Sequence, residues 1–203
     1  MSGKKNTGVV DKDRSRQWVG EGSKVAAIHI LRYEFAAQRS EGRVLDAACG
    51  CGYGSLMMYL KTGNVIGIDS DQEAIDWAKW NFKGPLFLKA RIEDAPWDGG
   101  FDTVVSLETI EHIQDPSTVL KTLRKSCRGM FIASVPNEDY YPFDPEVFKG
   151  DNSPHYRHYR PDEFDKLLKD HGFKVKERFY QKDKVDAEIR EGTEGKFIIY
   201  ACE

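Results

Sequence analysis

From Arg43 to Val135 short apolar runs of strand length alternate with stretches of helix length, and no other feature restricts the fold as much. The strands are read at 43–47 (RVLDA), 65–68 (VIGI), 86–90 (LFLKA), 102–107 (DTVVSL) and 130–135 (MFIASV), with helices near 54–61, 71–82 and 116–126. Asp115 caps the third of these helices, Pro116 fits its first turn, and Val119, Leu120 and Leu123 supply its apolar face. Strands separated by helices pair in parallel, and the helices cover both faces of the sheet. The expectation is an α/β fold, a three-layer α/β/α sandwich. Upstream, Ile28, Leu31 and Phe35 repeat at helical spacing in a helix from Ser23 to Gln38, which Gly42 separates from the first strand.

The 203 residues suit one domain and leave no room for a second of full size. Residues 1–20 carry Lys4, Lys5, Lys12, Arg14 and Arg16 and read as a basic N-terminal arm, followed by a single domain over 21–203. No apolar run approaches the roughly 20 residues of a membrane span. The start, MSGKKNTGVV, has no apolar stretch behind its basic residues, so a cytoplasmic location is the expectation. The four cysteines, Cys49, Cys51, Cys127 and Cys202, are too scattered for a disulfide framework and lack the paired spacing of a zinc ribbon. A net charge of −3 argues against affinity built on wrapping long nucleic acid, though not against reading a nucleic-acid end or a nucleotide.

After residue 136 the rhythm stops. The stretch 136–161 holds five of the eight prolines and six aromatics, too long for a connector, and reads as a substrate lid. A helix then runs from Asp162 to His171, and two strands near 173–181 and 196–202 flank a charged loop without a crossover helix, which favours antiparallel pairing.

The segment Val44-Leu45-Asp46-Ala47-Ala48-Cys49-Gly50-Cys51-Gly52-Tyr53-Gly54 runs a buried strand into a glycine-rich turn that opens a helix. Such a turn lets a ligand lie against backbone at the carboxyl end of the sheet. The next strand ends in Gly67-Ile68-Asp69-Ser70-Asp71, where a carboxylate can accept both hydroxyls of a ribose, so the ligand is of adenosine type. A dinucleotide fingerprint, G-x-G-x-x-G from Gly50 and Gly52, needs a glycine at position 55 and meets Ser55. Asp46, just ahead of the turn, would repel a pyrophosphate but could orient the turn or, through water, an ammonium group.

These segments, with Phe101-Asp102-Thr103-Val104-Val105-Ser106 and Val135-Pro136-Asn137, resemble the class I S-adenosylmethionine-dependent methyltransferases over roughly residues 25–202. The resemblance implies a Rossmann-like, seven-stranded, mostly parallel sheet with the last strand antiparallel. It implies S-adenosylmethionine as cofactor, with Asp46 and the backbone of Ala48, Cys49, Gly50 and Gly52 around the methionine part. It further implies Asp69 on the ribose with Ser70 beside it, Ile92 of the Arg91-Ile92-Glu93 turn at the adenine, and the Leu107 carbonyl facing the methionine amine. Two departures stand out: Ala48 occupies the family's first motif glycine, and Arg91 stands where many relatives have an aspartate.

The strand DTVVSL leads into Glu108-Thr109-Ile110-Glu111-His112-Ile113. A helical turn beginning near 108 would put Glu108, Glu111 and His112 on one face and turn Ile110 and Ile113 to the core. Two carboxylates and an imidazole suit Mg²⁺ or Mn²⁺, or Zn²⁺. E-x-x-E-H resembles small-RNA 3′-terminal 2′-O-methyltransferases and some quinone O-methyltransferases, which implies His155 as a further ligand. The same pattern occurs in relatives without metal, where the histidine is a base or packs under the substrate, so His112 and His155 stand equally as bases that would take the acceptor's proton. The segment around Arg32, with P-H-Y-R-H-Y at 154–159, resembles a bacterial and phage branch of small methyltransferases linked to sugars and secondary metabolites. Arg32 would either approach the cofactor's carboxylate or cap the sheet edge. Three functions follow in order: methyl transfer to oxygen or nitrogen of a small acceptor such as a saccharide, nucleoside or metabolite; metal-assisted 2′-O-methylation of an RNA terminus; and a non-catalytic cofactor- or partner-binding module. The protein is expected to act as a monomer or homodimer.

Overall fold

The computed structural model describes residues 27–94, 97–148 and 155–203. The basic arm and the start of the first helix, expected at 1–20 and from Ser23, lie outside these residues. Helix α1 spans Ala27–Arg39 and leads to strand β1, Val44–Ala47. There follow α2 (Tyr53–Thr62), β2 (Val65–Asp69), α3 (Gln72–Asn81), β3 (Leu86–Lys89) and β4 (Phe101–Leu107). Next come α4 (Ser117–Ser126), β5 (Cys127–Pro136), a one-turn α5 (Pro145–Phe148) and α6 (Pro161–Asp170). The chain finishes with β6 (Val175–Gln181), β7 (Ile189–Glu191) and β8 (Phe197–Cys202).

One sheet orders these strands β3-β2-β1-β4-β5-β8-β6-β7. Strands β1 to β5 pair in parallel, and β8 inserts antiparallel between β5 and β6. The sheet has eight strands rather than seven, because Ile189–Glu191, within the charged loop, pairs antiparallel with the edge of β6. Its three residues, IRE, carry too little apolar pattern to show as a strand.

Side chains alternate between two cores as strand pleating requires. On one face Val104, Phe131, Ala133, Val135, Ile198 and Tyr200 meet Leu120 and Leu123 of α4 and Phe164 and Leu168 of α6. On the other, Val44, Val105, Ile132 and Ile199 meet Phe35 and Ala36 of α1 and Met58 of α2. Both faces of the parallel strands are therefore buried, and only their carboxyl ends open to a ligand. All four cysteines are free thiols in the interior. Among the described residues no helix is long and apolar enough to cross a membrane.

The proline- and aromatic-rich stretch is pinned at both ends. Buried Asn137 donates its side-chain amide to the carbonyls of Thr193 and Gly195, and the backbones of Pro136 and Glu138 hydrogen-bond Tyr159. Between these anchors Tyr141, Phe143 and Phe148 pack around His155 and His158.

Candidate active site

Strand β1 ends in a turn whose backbone is left-handed at Ala48 (φ 67°), Gly50 (φ 53°) and Gly52 (φ 82°). At Gly52 a Cβ would stand 2.7 Å from the Phe87 ring and from the Ala78 Cβ, so glycine is required both for φ and for space. Ala48 takes the same kind of backbone with a side chain present, at a conformational cost on the order of 1 kcal/mol. Asp69, at the end of β2, accepts the Gly50 N–H on Oδ2 and the Asp71 N–H on Oδ1, both at 2.9 Å. The strand end thus holds the turn in shape.

Beside this turn lies a cavity of about 400 Å³. Ala48, Cys49, Gly50, Asp69 and Ser70 line it on one side; Ile92 and the Arg91–Glu93 ion pair form its rim; Leu107, Glu108, Thr109 and His112 close the far end. Seven of the nine expected cofactor contacts are brought together here. Asp46 and Gly52 are not, since both sit behind the lining. Asp46 is fully buried, accepting the Ser55 hydroxyl at 2.6 Å and the Tyr33 hydroxyl at 3.4 Å. It ties α1 and α2 to the turn, and burial pushes its carboxyl up to about 7. Neighbours from α1 and α2, His29, Tyr33 and Tyr53, were not legible in the motif. Tyr33 and Tyr53 meet edge to face at 5.2 Å, and burial pulls His29 down to about 3, so it is neutral.

The acidic segment departs from expectation. Glu108 has φ 49°, and the following turn, a 3₁₀ turn over Ile110–His112, begins two residues late. Its carboxylate is drawn to Arg32 of α1, with Oε1 2.8 Å from Nη1, and it also accepts the Ser134 hydroxyl at 2.8 Å. Arg32 is 1% exposed and lies over the Phe197 ring at 4.6 Å. Arg32 therefore lines the cavity and clamps Glu108, and Glu108 leaves the set of expected metal ligands.

Glu111, His112 and His155 do come together, each offering one donor atom within 4.8 Å of the others. Glu111 is fully buried, and neither carboxylate oxygen has a hydrogen-bond partner. Burial, with the Glu108 charge next in size, raises its carboxyl well above the usual range. The His112 and His155 rings stand edge to face with centroids 4.5 Å apart. His155 is brought in by the backbone of the next residue, since Tyr156 N–H donates to the Glu111 carbonyl at 2.8 Å. Burial, then the neighbouring His112, lowers His155 to about 3. One carboxylate and two imidazoles fit a divalent ion, and losing Glu108 moves the donor set away from Mg²⁺ toward Mn²⁺ or Zn²⁺.

A strand-end carboxylate beside a left-handed turn thus shares one cavity with a titratable group at the carboxyl edge of a Rossmann-like sheet, the arrangement expected for a nucleoside cofactor. Residues 19–178 match the methyltransferase-domain family, and the chain belongs to that family. It is 29% identical over 147 residues to a probable S-adenosylmethionine-dependent methyltransferase of Mycobacterium tuberculosis, covering 71% of this chain and 54% of the relative. It is 28% identical over 120 residues to a ubiquinone biosynthesis O-methyltransferase of Vibrio parahaemolyticus, covering 53% of this chain and 51% of that one. The chain spans about half the length of these curated relatives. The same fold occurs in a 1,6-didemethyltoxoflavin-N1-methyltransferase of Burkholderia thailandensis, solved with bound 1,6-didemethyltoxoflavin and S-adenosylhomocysteine (TM-score 0.66, 16% identity, 87% of this chain and 78% of that one). It occurs also in an S-adenosylmethionine-dependent methyltransferase of Thermotoga maritima (TM-score 0.69, 21% identity, 86% and 90%).

Proposed function

We propose that the chain transfers a methyl group from S-adenosylmethionine to an oxygen or nitrogen of a small acceptor. The observation that carries this reading is the single cavity wall running from Asp69 and the 48–50 turn to His112, which spaces a nucleoside site from a proton-accepting site. When bound, the cofactor supplies an electrophilic methyl on a sulfonium. The chain's own residues then have separable tasks. Asp69 accepts the ribose hydroxyls, Ile92 packs on the adenine, and the turn backbone and Leu107 carbonyl orient the amino-acid end. At the far end His112 or His155 accepts the acceptor's proton. Placing two reactants in line in a closed site provides much of the acceleration such a transfer needs.

A small acceptor is favoured over a nucleic-acid terminus by the net charge of −3. The aromatic stretch 136–161 is assigned the role of substrate lid. A second reading adds a divalent ion held by Glu111, His112 and His155, and the unpartnered Glu111 oxygens favour it. The test is transfer of radiolabelled methyl from S-adenosylmethionine into a metabolite extract and into short RNA, with Mn²⁺ or EDTA added. Label in the metabolite fraction supports the reading; label only in RNA replaces the acceptor; no label in either, with cofactor bound, refutes methyl transfer. Loss of label with EDTA and its return with Mn²⁺ selects the metal-assisted form.

A further inference from the structure

Helix α1 lines the cavity with His29, Arg32 and Tyr33, and turns Ala27, Leu31, Glu34 and Gln38, at one-face spacing, to a separate groove of about 640 Å³ against β6 and β7. Phe35 and Phe179, edge to face at 4.8 Å, give it an apolar floor. Val185 on its border is 97% exposed. The end near Ala27 is fixed by Gln181, whose amide donates to the carbonyls of Ile28 and Ala187 at 3.0 and 2.7 Å. The other end is set by the pairing of Phe179 with Glu191 of β7, the outermost strand of the sheet.

Three carboxylates, Glu34, Glu188 and Glu191, border the groove. Glu188 pairs with Arg190 at 2.8 Å, but Glu34 and Glu191 have no ion-pair partner among the described residues. The cation in the lining, Arg39, is taken up by the aromatic floor, its guanidinium carbon 3.7 Å from the Phe35 centroid and 4.9 Å from that of Phe179. An apolar floor with an acidic border suits a segment that brings an aromatic anchor and several cations.

The chain carries such a segment just ahead of Ala27. Residues 1–26 hold six Lys and Arg against three Asp and Glu, whereas residues 27–203 hold 24 against 30. Lys12, Arg14, Arg16 and Trp18 recur at every second position, the spacing that puts side chains on one face of an extended chain. Gly20 and Gly22 follow, and glycine admits the reversal that would bring this stretch back along α1. An extended backbone from 12 to 18 covers roughly 20 Å, and a helix from 27 to 38 about 17 Å, so the lengths match.

We propose that residues 12–18 of this chain lie extended in the groove, with Trp18 over Leu31 and Val185 and with Arg14 and Arg16 at Glu34 and Glu191. The arm then ties α1 to the edge of the sheet from the side opposite the cavity. This docking stands apart from the methyl-transfer reading and needs no acceptor.

The test uses the full chain. All four native cysteines are buried, so a nitroxide attached through Ser15→Cys, on the other face of the extended stretch, labels the arm alone. In ¹⁵N-labelled protein the backbone amide signals of 34–38 and 187–191 should lose intensity relative to the reduced label. Those of α4, which packs on the other face of the sheet, should keep theirs. Arg14→Glu with Arg16→Glu should abolish the loss, and about 1 M NaCl should reduce it. Adding Glu34→Lys and Glu191→Lys to that double variant should bring the loss back. Unchanged signals at 34–38 and 187–191, or a loss that survives the charge reversal, overturn the proposal. So does a loss that appears in ¹⁵N protein without a label when unlabelled-nitrogen protein carrying the nitroxide is mixed in, because the groove then takes the arm of a neighbouring copy.

Discussion

Replacing Asp46 by asparagine should change how stability depends on pH. The carboxyl is fully buried, and although Ser55 and Tyr33 donate to it, desolvation dominates and lifts it from the ordinary 3.8 to about 7. A folded-state pKa above the unfolded one means that the native state binds the proton more tightly. The stability this group contributes is complete below the unfolded value and is lost as pH rises through the folded value. With 3.8 unfolded and about 7 folded, at about 1.36 kcal/mol per pKa unit, the native state loses roughly 2–3 kcal/mol between about pH 5 and pH 8. Asp46→Asn has no charge to bury, and its amide oxygen still accepts from Ser55. Its stability measured against wild type by urea unfolding should therefore improve by about 2–3 kcal/mol across that range, and by roughly 5–10 °C in Tm. Titrating groups that do not interact with Asp46 cancel in the comparison. A gap between the two proteins that stays constant from pH 5 to pH 8 would show that Asp46 is ionised in the fold throughout, and the burial argument would be wrong.

Asp69→Asn keeps the side-chain shape but removes the charge proposed to face the ribose, and calorimetry should show S-adenosylhomocysteine binding weakened on the order of 10- to 100-fold. Glu108→Ala strands the Arg32 guanidinium, 1% exposed, and should cost about 3 kcal/mol in chemical denaturation; a loss under about 0.5 kcal/mol would mean water replaces the partner. Gly52→Ala forces a side chain into a left-handed position 2.7 Å from Phe87 and Ala78, and should cost at least about 2 kcal/mol; a crystal structure of the variant with an unmoved turn would contradict that.

The architecture was legible because it rests on local signals. Strand-length apolar runs alternating with helices gave the order β1 to β5, and Asp115 does accept from the Ser117 N–H at the head of α4. One wall of the cavity was legible for the same reason: turn, strand end and the Ile92 turn, which line it together, each announce themselves in a few consecutive residues. What failed depended on contacts remote in sequence. Glu108 fits a helical face by spacing, but Arg32, 76 positions earlier, draws it away and bends the backbone to φ 49°. Asp46 stands where a ligand contact fits the motif, yet Tyr33 and Ser55 claim it. Tyr33 and Tyr53 carry no signal of their own, since a tyrosine on an amphipathic helix reads as core.

Direct binding decides the central claim. Isothermal titration of the purified protein with S-adenosylhomocysteine, alongside NAD, reads the cavity beside Asp69 without any assumption about the acceptor. Saturable one-site binding of S-adenosylhomocysteine, weakened in Asp69→Asn, with no heat from NAD, is the expected result. Binding of NAD with none of S-adenosylhomocysteine would contradict it.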